Sequence, residues 1–327
     1  MKSDETSLNE YVPDKLQDLT NLQTALPRIA KDPAMMALIE SSVANVPTAH
    51  KLFLGDARDM EMLESESVHL SLTSPPYWTL KQYNESEAQL GSVSDYDEFL
   101  KELDRVWEQC YRVLIPGGRL ICVVGDVCLS RRSNNGRHMV VPLHSSIQEH
   151  CRRIGFDNLA SIIWHKIANA TYEVEKGNSA GFLGKPFEPN SVIKNDIEFI
   201  LMERKSGGYR KPSAAKRILS VISEENYRNW FQQIWFGITG ASTRDHPAPF
   251  PVELAERLIR MFSFAGDTVL DPFMGTGTTS LAAVRCGRNS IGVEVDPEYF
   301  DYAYNRVQES CSGLFSKAMV HTFKPGE

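Results

Sequence analysis

Ser74-Pro75-Pro76-Tyr77 closes an apolar run from Val68 to Thr73, and Trp78 follows it. Two consecutive prolines hold φ at about −65° and remove two backbone donors. What remains is a stiff acceptor surface: the Ser74 hydroxyl and the carbonyls of Ser74 and Pro75. The rings of Tyr77 and Trp78 stand beside it. Acceptors in one plane with a ring above them suit the exocyclic amino group of a nucleobase. Trp78 reads either as a second wall or as core.

A second constellation lies near the other end of the chain. Thr268-Val269-Leu270-Asp271-Pro272-Phe273-Met274-Gly275-Thr276-Gly277-Thr278-Thr279 has the pattern of a strand, a Gly-containing loop and a helix start. Glycines there admit a ligand close to the backbone, and a helix N-terminus offers unpaired N–H groups. The GK[ST] ending of a P-loop is missing, and so is the full GxGxxG spacing. The next apolar run ends at Glu294, about 20 residues on, where a carboxylate fits a ligand ribose. A ribose site without a diphosphate cradle points to S-adenosylmethionine. The plainer alternative is a capped strand–turn–helix with Glu294 as a surface acid.

Both loops need strands that end along one edge of a sheet. Short apolar runs at 51–54, 68–72, 120–124, 159–164, 197–202, 268–270 and 290–295 predict those strands. Helical periodicity covers 96–114, with Pro116-Gly117-Gly118 expected to end it, and then 140–154, 250–264, 276–286 and 298–308. The alternation predicts an α/β chain with a mostly parallel sheet covered on both faces. Residues 22–43 read as helix within a polar N-terminal stretch, and 206–243 as a long irregular segment.

The chain has 327 residues, 42% of them hydrophobic and 24% charged, as in an ordinary soluble enzyme. No apolar stretch approaches the roughly 18 residues of a membrane span, and no signal peptide is visible. Six scattered cysteines without CxxC spacing fit a reduced, cytoplasmic chain without a structural metal. The net charge of −7 excludes a generally basic nucleic-acid coat. Two basic clusters remain as candidate phosphate contacts. One comprises Arg204, Lys205, Arg210, Lys211, Lys216 and Arg217, the other Arg131, Arg132, Arg137 and His138.

SPPYW and DPFMGTGTT together resemble the amino-group DNA methyltransferases of bacterial restriction–modification systems. SPPY precedes DPFMGTG with a variable stretch between them, an order similar to that of the circularly permuted beta class. Gly55-Asp56, Arg112-Val113-Leu114-Ile115-Pro116-Gly117-Gly118, Ile163-Trp164-His165-Lys166 and His246-Pro247-Ala248-Pro249-Phe250-Pro251 extend the match over residues 50–310. The resemblance implies a Rossmann-like, S-adenosylmethionine-dependent methyltransferase fold in permuted order. It assigns Ser74, Pro75, Pro76 and Tyr77 to the target amine. It assigns Asp271, Pro272, Phe273, Gly275, Gly277 and Thr278 to the methyl donor and Glu294 to its ribose. Asp56 would take the adenine amino group, and His246 and Phe250 would complete the pocket. Two of these have plainer readings: Asp56 as a turn residue after Gly55, and His246 as a residue that orients the turn before a Pro-rich helix start. No metal is expected.

Within that family Ser at the first tetrapeptide position goes with cytosine N4, and Asp or Asn with adenine N6. The expected reaction is therefore methylation of cytosine N4 on double-stranded DNA, with adenine N6 as the alternative. A catalytically inactive DNA-binding module and an RNA or protein-amide methyltransferase are further alternatives. Methylation at cytosine C5 needs a Cys nucleophile, and no Pro-Cys motif supplies one. The base would have to be flipped out of the duplex, at roughly a few kcal/mol. Asp126 is a candidate proton acceptor or a plain loop residue. The expected divisions are an extension (1–48), a catalytic half (49–204), a target-recognition region (205–245) and a cofactor-binding half (246–327). A cognate restriction endonuclease would be the functional partner; monomer and homodimer both remain open.

Overall fold

The structure is a computed structural model that describes residues 8–17, 19–78, 89–132, 134–166, 195–240, 250–313 and 317–326. The helices are α1 (Leu22–Ile29), α2 (Pro33–Val43), α3 (Tyr96–Val113), α4 (Leu143–Ile154), α5 (Ala214–Ile218), α6 (Glu224–Trp230), α7 (Val252–Phe262), α8 (Thr278–Arg285) and α9 (Pro297–Cys311). The strands are β1 (Thr48–Leu54), β2 (Val68–Thr73), β3 (Leu114–Val124), β4 (Val127–Leu129), β5 (Met139–Val141), β6 (Phe156–Asn158), β7 (Ile162–His165), β8 (Ile197–Lys205), β9 (Ile234–Trp235), β10 (Thr268–Asp271), β11 (Asn289–Glu294) and β12 (Ala318–Phe323).

Ten of these strands form one sheet in the order β12-β1-β11-β10-β2-β3-β8-β7-β9, with β6 alongside β8. All neighbours from β12 to β3 pair in parallel, β8 runs against β3 and β7, and β9 is parallel to β7. The expected mostly parallel α/β sheet is therefore present. Its strands alternate between two cores. Leu120, Cys122 and Val124 pack with α3 and α4 on one face. Ile121, Val123 and Ile200 pack with α7 and part of α8 on the other. Such two-sided burial explains why these strands read as continuous apolar runs.

Several elements differ from the sequence expectation for local reasons. The stretch 22–43 is two helices, because the Asp32 carboxylate caps Ala34 and Met35 N–H groups and Pro33 takes the first helical position. Pro116-Gly117-Gly118 does not end α3. That helix stops at Val113, and β3 starts at once. Leu114 pairs with Val68 while Arg119 pairs with Leu70, so residues 115–118 bulge out of the ladder. Gly117 has φ +78°, and a Cβ there would lie 2.8 Å from the Gly208 carbonyl oxygen. Helix α4 begins at Leu143, since Val140 belongs to the β4–β5 hairpin.

The segment 206–243 is less irregular than expected. It contributes α5, α6 and the edge strand β9, which buries Trp235 to 1% exposure. Around α5, Ala215, Ile218 and Leu219 share a third core with Ile29, Met36 and Ile39 of the N-terminal helices. The extension is thereby tied to the region that follows β8. Residues 167–194, the polar stretch between β7 and β8, lie outside the described residues.

Candidate active site

Chain direction brings the candidate residues to one edge. Asp56 follows β1, Ser74 follows β2, and Asp271 and Glu294 end β10 and β11. All four strands are parallel, so all four residues stand at the carboxyl edge. From β10 the chain turns through α8 to β11 on one side, and from β2 through α3 to β3 on the other. The boundary between β10 and β2 is thus a topological switch point, where open α/β sheets bind ligands.

Asp271 fixes the loop after β10. Its Oδ1 accepts from Thr73 Oγ1 at 2.7 Å and from the Phe273 N–H at 3.1 Å, and its Oδ2 accepts from Thr279 Oγ1 at 2.7 Å. Burial pushes its pKa up to about 6 against those three hydrogen bonds. Asp271 thereby ties β2 to the loop and does not line the cleft. Glu294 does line it. Its Oε2 accepts from the Gly275 N–H at 2.7 Å and its Oε1 from the Asp296 N–H at 2.9 Å. Burial raises Glu294 to about 7.

The cleft encloses about 610 Å³ of empty space that includes open solvent. Pro272, Phe273, Gly275, Glu294 and Asp56 line it together with Ser74 and Pro76. Phe273 is held edge-on against Trp107, with ring centroids 6.0 Å apart. Asp56 reaches the wall, but its two oxygens take Arg58 Nε at 3.0 and 2.9 Å, and Arg58 continues to Glu102. Gly277 instead faces α9, where a Cβ would lie 3.1 Å from Ala303 Cβ. Thr278 Oγ1 accepts from Arg306 Nη1 at 3.4 Å, away from the cleft. Phe250 is buried in the core beneath α7, and His246 lies outside the described residues.

Gln89, Leu90, Ala57 and Tyr299 also line the cleft, and sequence reasoning passed over them. Tyr299 carried a usable signal. It sits in the first turn of α9, which Asp296 caps through the Glu298 and Tyr299 N–H groups. A residue just after the strand that ends in Glu294 has to face the same cleft. Gln89 and Leu90 follow a stretch with no periodicity and carried none.

In the amine loop, Ser74 Oγ donates to Tyr77 Oη at 3.3 Å, and Tyr77 Oη donates to the Val123 carbonyl at 3.4 Å. Tyr77 is 7% exposed and packs in the core with Leu120 and Val124, so the ring expected beside the amine is core here and does not line the cleft. Pro75 is buried as well. Trp78 turns back at φ +47° and packs edge-on against Tyr96 at 5.1 Å, which favours its reading as core. Asp126 Oδ1 lies 2.6 Å from His144 Nδ1, and the His144 ring stacks on Phe199. The carboxylate suggested as a proton acceptor is thus engaged with a histidine that the sequence did not single out.

The two basic clusters separate. Arg131, Arg132, Arg137 and His138 are exposed on the β4–β5 hairpin, which leaves the carboxyl edge directly after β3. Arg210 and Lys216 lie at the opposite edge, where both bind the buried Asp267 that precedes β10. Lys205 Nζ there donates to the Leu114 carbonyl at 2.8 Å. For these three the expected phosphate role is corrected: their charges are used within the fold.

Comparison with known proteins agrees with this geometry. A family profile described as DNA methylase matches residues 68–305. The type II methyltransferase M.MjaI of Methanocaldococcus jannaschii is 40% identical over 282 residues, covering 77% of this chain and 89% of that protein. The type II methyltransferase M.MthZI of Methanothermobacter thermautotrophicus is 33% identical over 285 residues, covering 80% and 78%. A protein of Thermus thermophilus, TTHA0409, solved in complex with S-adenosyl-L-methionine, is 47% identical with a TM-score of 0.70, covering 85% of this chain and 99% of that one. The chain belongs to the N6/N4 DNA methylase family.

Proposed function

We propose that this chain is a site-specific DNA methyltransferase that moves a methyl group from S-adenosylmethionine to the exocyclic N4 of a flipped-out cytosine. The carrying observation is that Ser74 and Pro76 of the amine loop line the same cleft as Gly275 and Glu294. A methyl donor held by the second pair would be in reach of an amine held by the first.

The residues fit that donor. Glu294 presents a nearly buried carboxylate to accept a ribose diol, Phe273 and Tyr299 offer apolar walls, and Gly275, whose N–H holds Glu294, lines the cleft between them. When bound, S-adenosylmethionine supplies an electrophilic methyl group on a sulfonium. The amine lone pair is delocalised into the base ring, which makes it a poor nucleophile. Two N–H···O bonds, to the Ser74 hydroxyl and the Pro75 carbonyl, favour a pyramidal nitrogen and free that pair. Orientation in the cleft supplies much of the acceleration. The displaced proton leaves to water.

Duplex DNA would approach the carboxyl edge. The β4–β5 hairpin, with Arg131, Arg132 and Arg137, is placed to touch phosphates there. Target recognition then belongs to the end of the 205–245 stretch, after β9, together with this hairpin. No helix among the described residues is long and apolar enough to cross a membrane. We place the enzyme in the cytoplasm with a cognate restriction endonuclease as functional partner, the setting of type II methyltransferases.

Digesting plasmid DNA methylated by the purified chain to nucleosides, followed by mass spectrometry, tests the reading. N4-methylcytosine is expected, and N6-methyladenine as the sole product overturns the choice of base. A second measurement tests the donor site. Two diol donors favour the charged form of Glu294, so binding lowers its pKa and releases a proton. Affinity for S-adenosylmethionine by calorimetry should rise between pH 6 and 8 and level off above, and Glu294→Ala should flatten that profile.

A further inference from the structure

Ile163-Trp164-His165-Lys166 has no part in the site described so far. Lys166 follows β7 at the carboxyl edge, and its Nζ lies 2.5 Å from Glu198 Oε1. Glu198 is 6% exposed, whereas the Lys166 side chain is 34% exposed. A carboxylate so buried is kept only with a partner, and Lys166 is that partner.

The pair stands beside the amine loop. Phe199 pairs with Val124, so Glu198 is next to Gly125 just beyond the end of β3. A methyl group placed on Gly125 would lie 3.4 Å from both Tyr77 Cε2 and Glu198 Cγ. Tyr77 therefore has the Ser74 hydroxyl at its phenol oxygen and Glu198 near its ring edge. The far side of Lys166 is closed by the chain after β9, where a methyl group on Gly240 would lie 3.3 Å from Lys166 Cε. One of the three Nζ–H donors is taken by Glu198, which leaves donors for another acceptor.

We propose that Lys166, held in place by Glu198, reads the ring-nitrogen acceptor beside the amino group of the flipped target base. The inference rests on DNA amino methylation as the reaction. Cytosine carries N3, and adenine N1, as an acceptor next to its exocyclic amine. Thymine and guanine carry a carbonyl beside a ring N–H at the same place. Acceptors at Ser74 and Pro75 with a donor at Lys166 match the first pattern and oppose the second, because an ammonium cannot accept. Glu198 is a positioning residue: it holds the head of the flexible lysine at the carboxyl edge, over the Trp164 ring at 5.4 Å, instead of in water.

The test uses the full chain and duplex oligonucleotides that carry the methylated site, first located by modification-sensitive sequencing. The target cytosine is replaced by 3-deazacytosine, or a target adenine by 1-deazaadenine, which removes only the ring acceptor. Wild-type kcat/KM should fall about 10- to 100-fold on the deaza duplex, the size of a lost charge-assisted hydrogen bond. Lys166→Met should show a similar loss on the natural duplex and no further loss on the deaza duplex. Its affinity for S-adenosylmethionine should stay unchanged. Lys166→Arg, which keeps donors, should keep part of the discrimination.

If Lys166→Met lowers the melting temperature, Glu198→Gln carries the test: the deaza penalty should shrink below the wild-type value, and an unchanged penalty overturns the proposal. A Lys166→Met enzyme that still loses the wild-type factor on the deaza duplex also overturns it and leaves DNA methylation standing. A wild-type chain that methylates no DNA overturns both.

Discussion

Arg210 and Lys216 stand at the amino edge of the sheet with a buried carboxylate between them, whereas Arg131, Arg132 and Arg137 stand at its carboxyl edge on an exposed hairpin. In the sequence the two clusters look alike as candidate phosphate contacts. The fold separates them. Strand β8 runs against its neighbours, so the chain that leaves it emerges on the side away from Ser74 and Glu294. Charge at that edge becomes an internal fastening. It joins α5 and the loop after β8 to the start of β10 through Asp267, which also accepts from the Phe264 N–H at 2.7 Å. Direction of a strand, not density of charge, decides which cluster stands at the edge where a phosphate would approach.

Asp267 gives the largest expected effect. It is fully buried, and burial opposes its ionisation, yet the hydrogen bond from Arg210 and the charges of His69 and Arg210 hold its pKa below the usual carboxylate value. Its contribution to stability is therefore present above the unfolded pKa and is lost as pH falls through the lower folded one. Asp267→Ala leaves two cations facing a hole, and denaturant unfolding at pH 7 should show a loss of about 3–5 kcal/mol. The DNA affinity of the molecules that remain folded should be unchanged. The reverse holds for the hairpin. Replacing Arg132 and Arg137 together by Gln should leave unfolding untouched and reduce the slope of log K against log salt by about 2, one counterion per lost phosphate contact. A slope that changes instead with Arg210→Gln would invert the comparison.

Motif-bearing parts of the fold were legible because backbone chemistry fixes them locally. Pro75-Pro76 after an apolar run, and glycines between a strand and a helix, allow few conformations, and both loops fall where expected. The sheet was legible from its two-sided burial. What stayed hidden depends on contacts distant in sequence. Strand β9 is two residues long, and only pairing with β7 makes it a strand. Gly277 and Thr278 sit in a loop of the right type, but α9 packs against them, and no local pattern says which side of the loop a helix some 20 residues on will cover. Asp56 was placed at the right edge, and its engagement by Arg58 was hidden because Glu102 of α3 holds the other end of that guanidinium. The ring-nitrogen-reading role proposed for Lys166 likewise depends on Glu198 of another strand.

Glu203 gives the smallest effect and sharpens the same contrast, since it directly precedes the fastening cluster but has no cation of its own. It is fully buried among α4 and β3 residues, and neither carboxylate oxygen has a hydrogen bond among the described residues. Burial pushes it up to about 7, and Gln148, which opposes the rise, makes its ordinary hydrogen bond to Ser161. A folded-state pKa above the unfolded one means the native chain holds a proton that the unfolded chain releases. Stability then falls as pH rises from about 4.3 to about 7 and is flat beyond. Removing the charge removes that slope. Glu203→Gln should raise stability at pH 8 by on the order of 1 kcal/mol, less than the full linkage because an amide there is still a buried polar group. At pH 5 it should change little. Thermal unfolding at the two pH values checks this, and an equal shift at both would mean that Glu203 is paired after all and belongs with the fastening cluster.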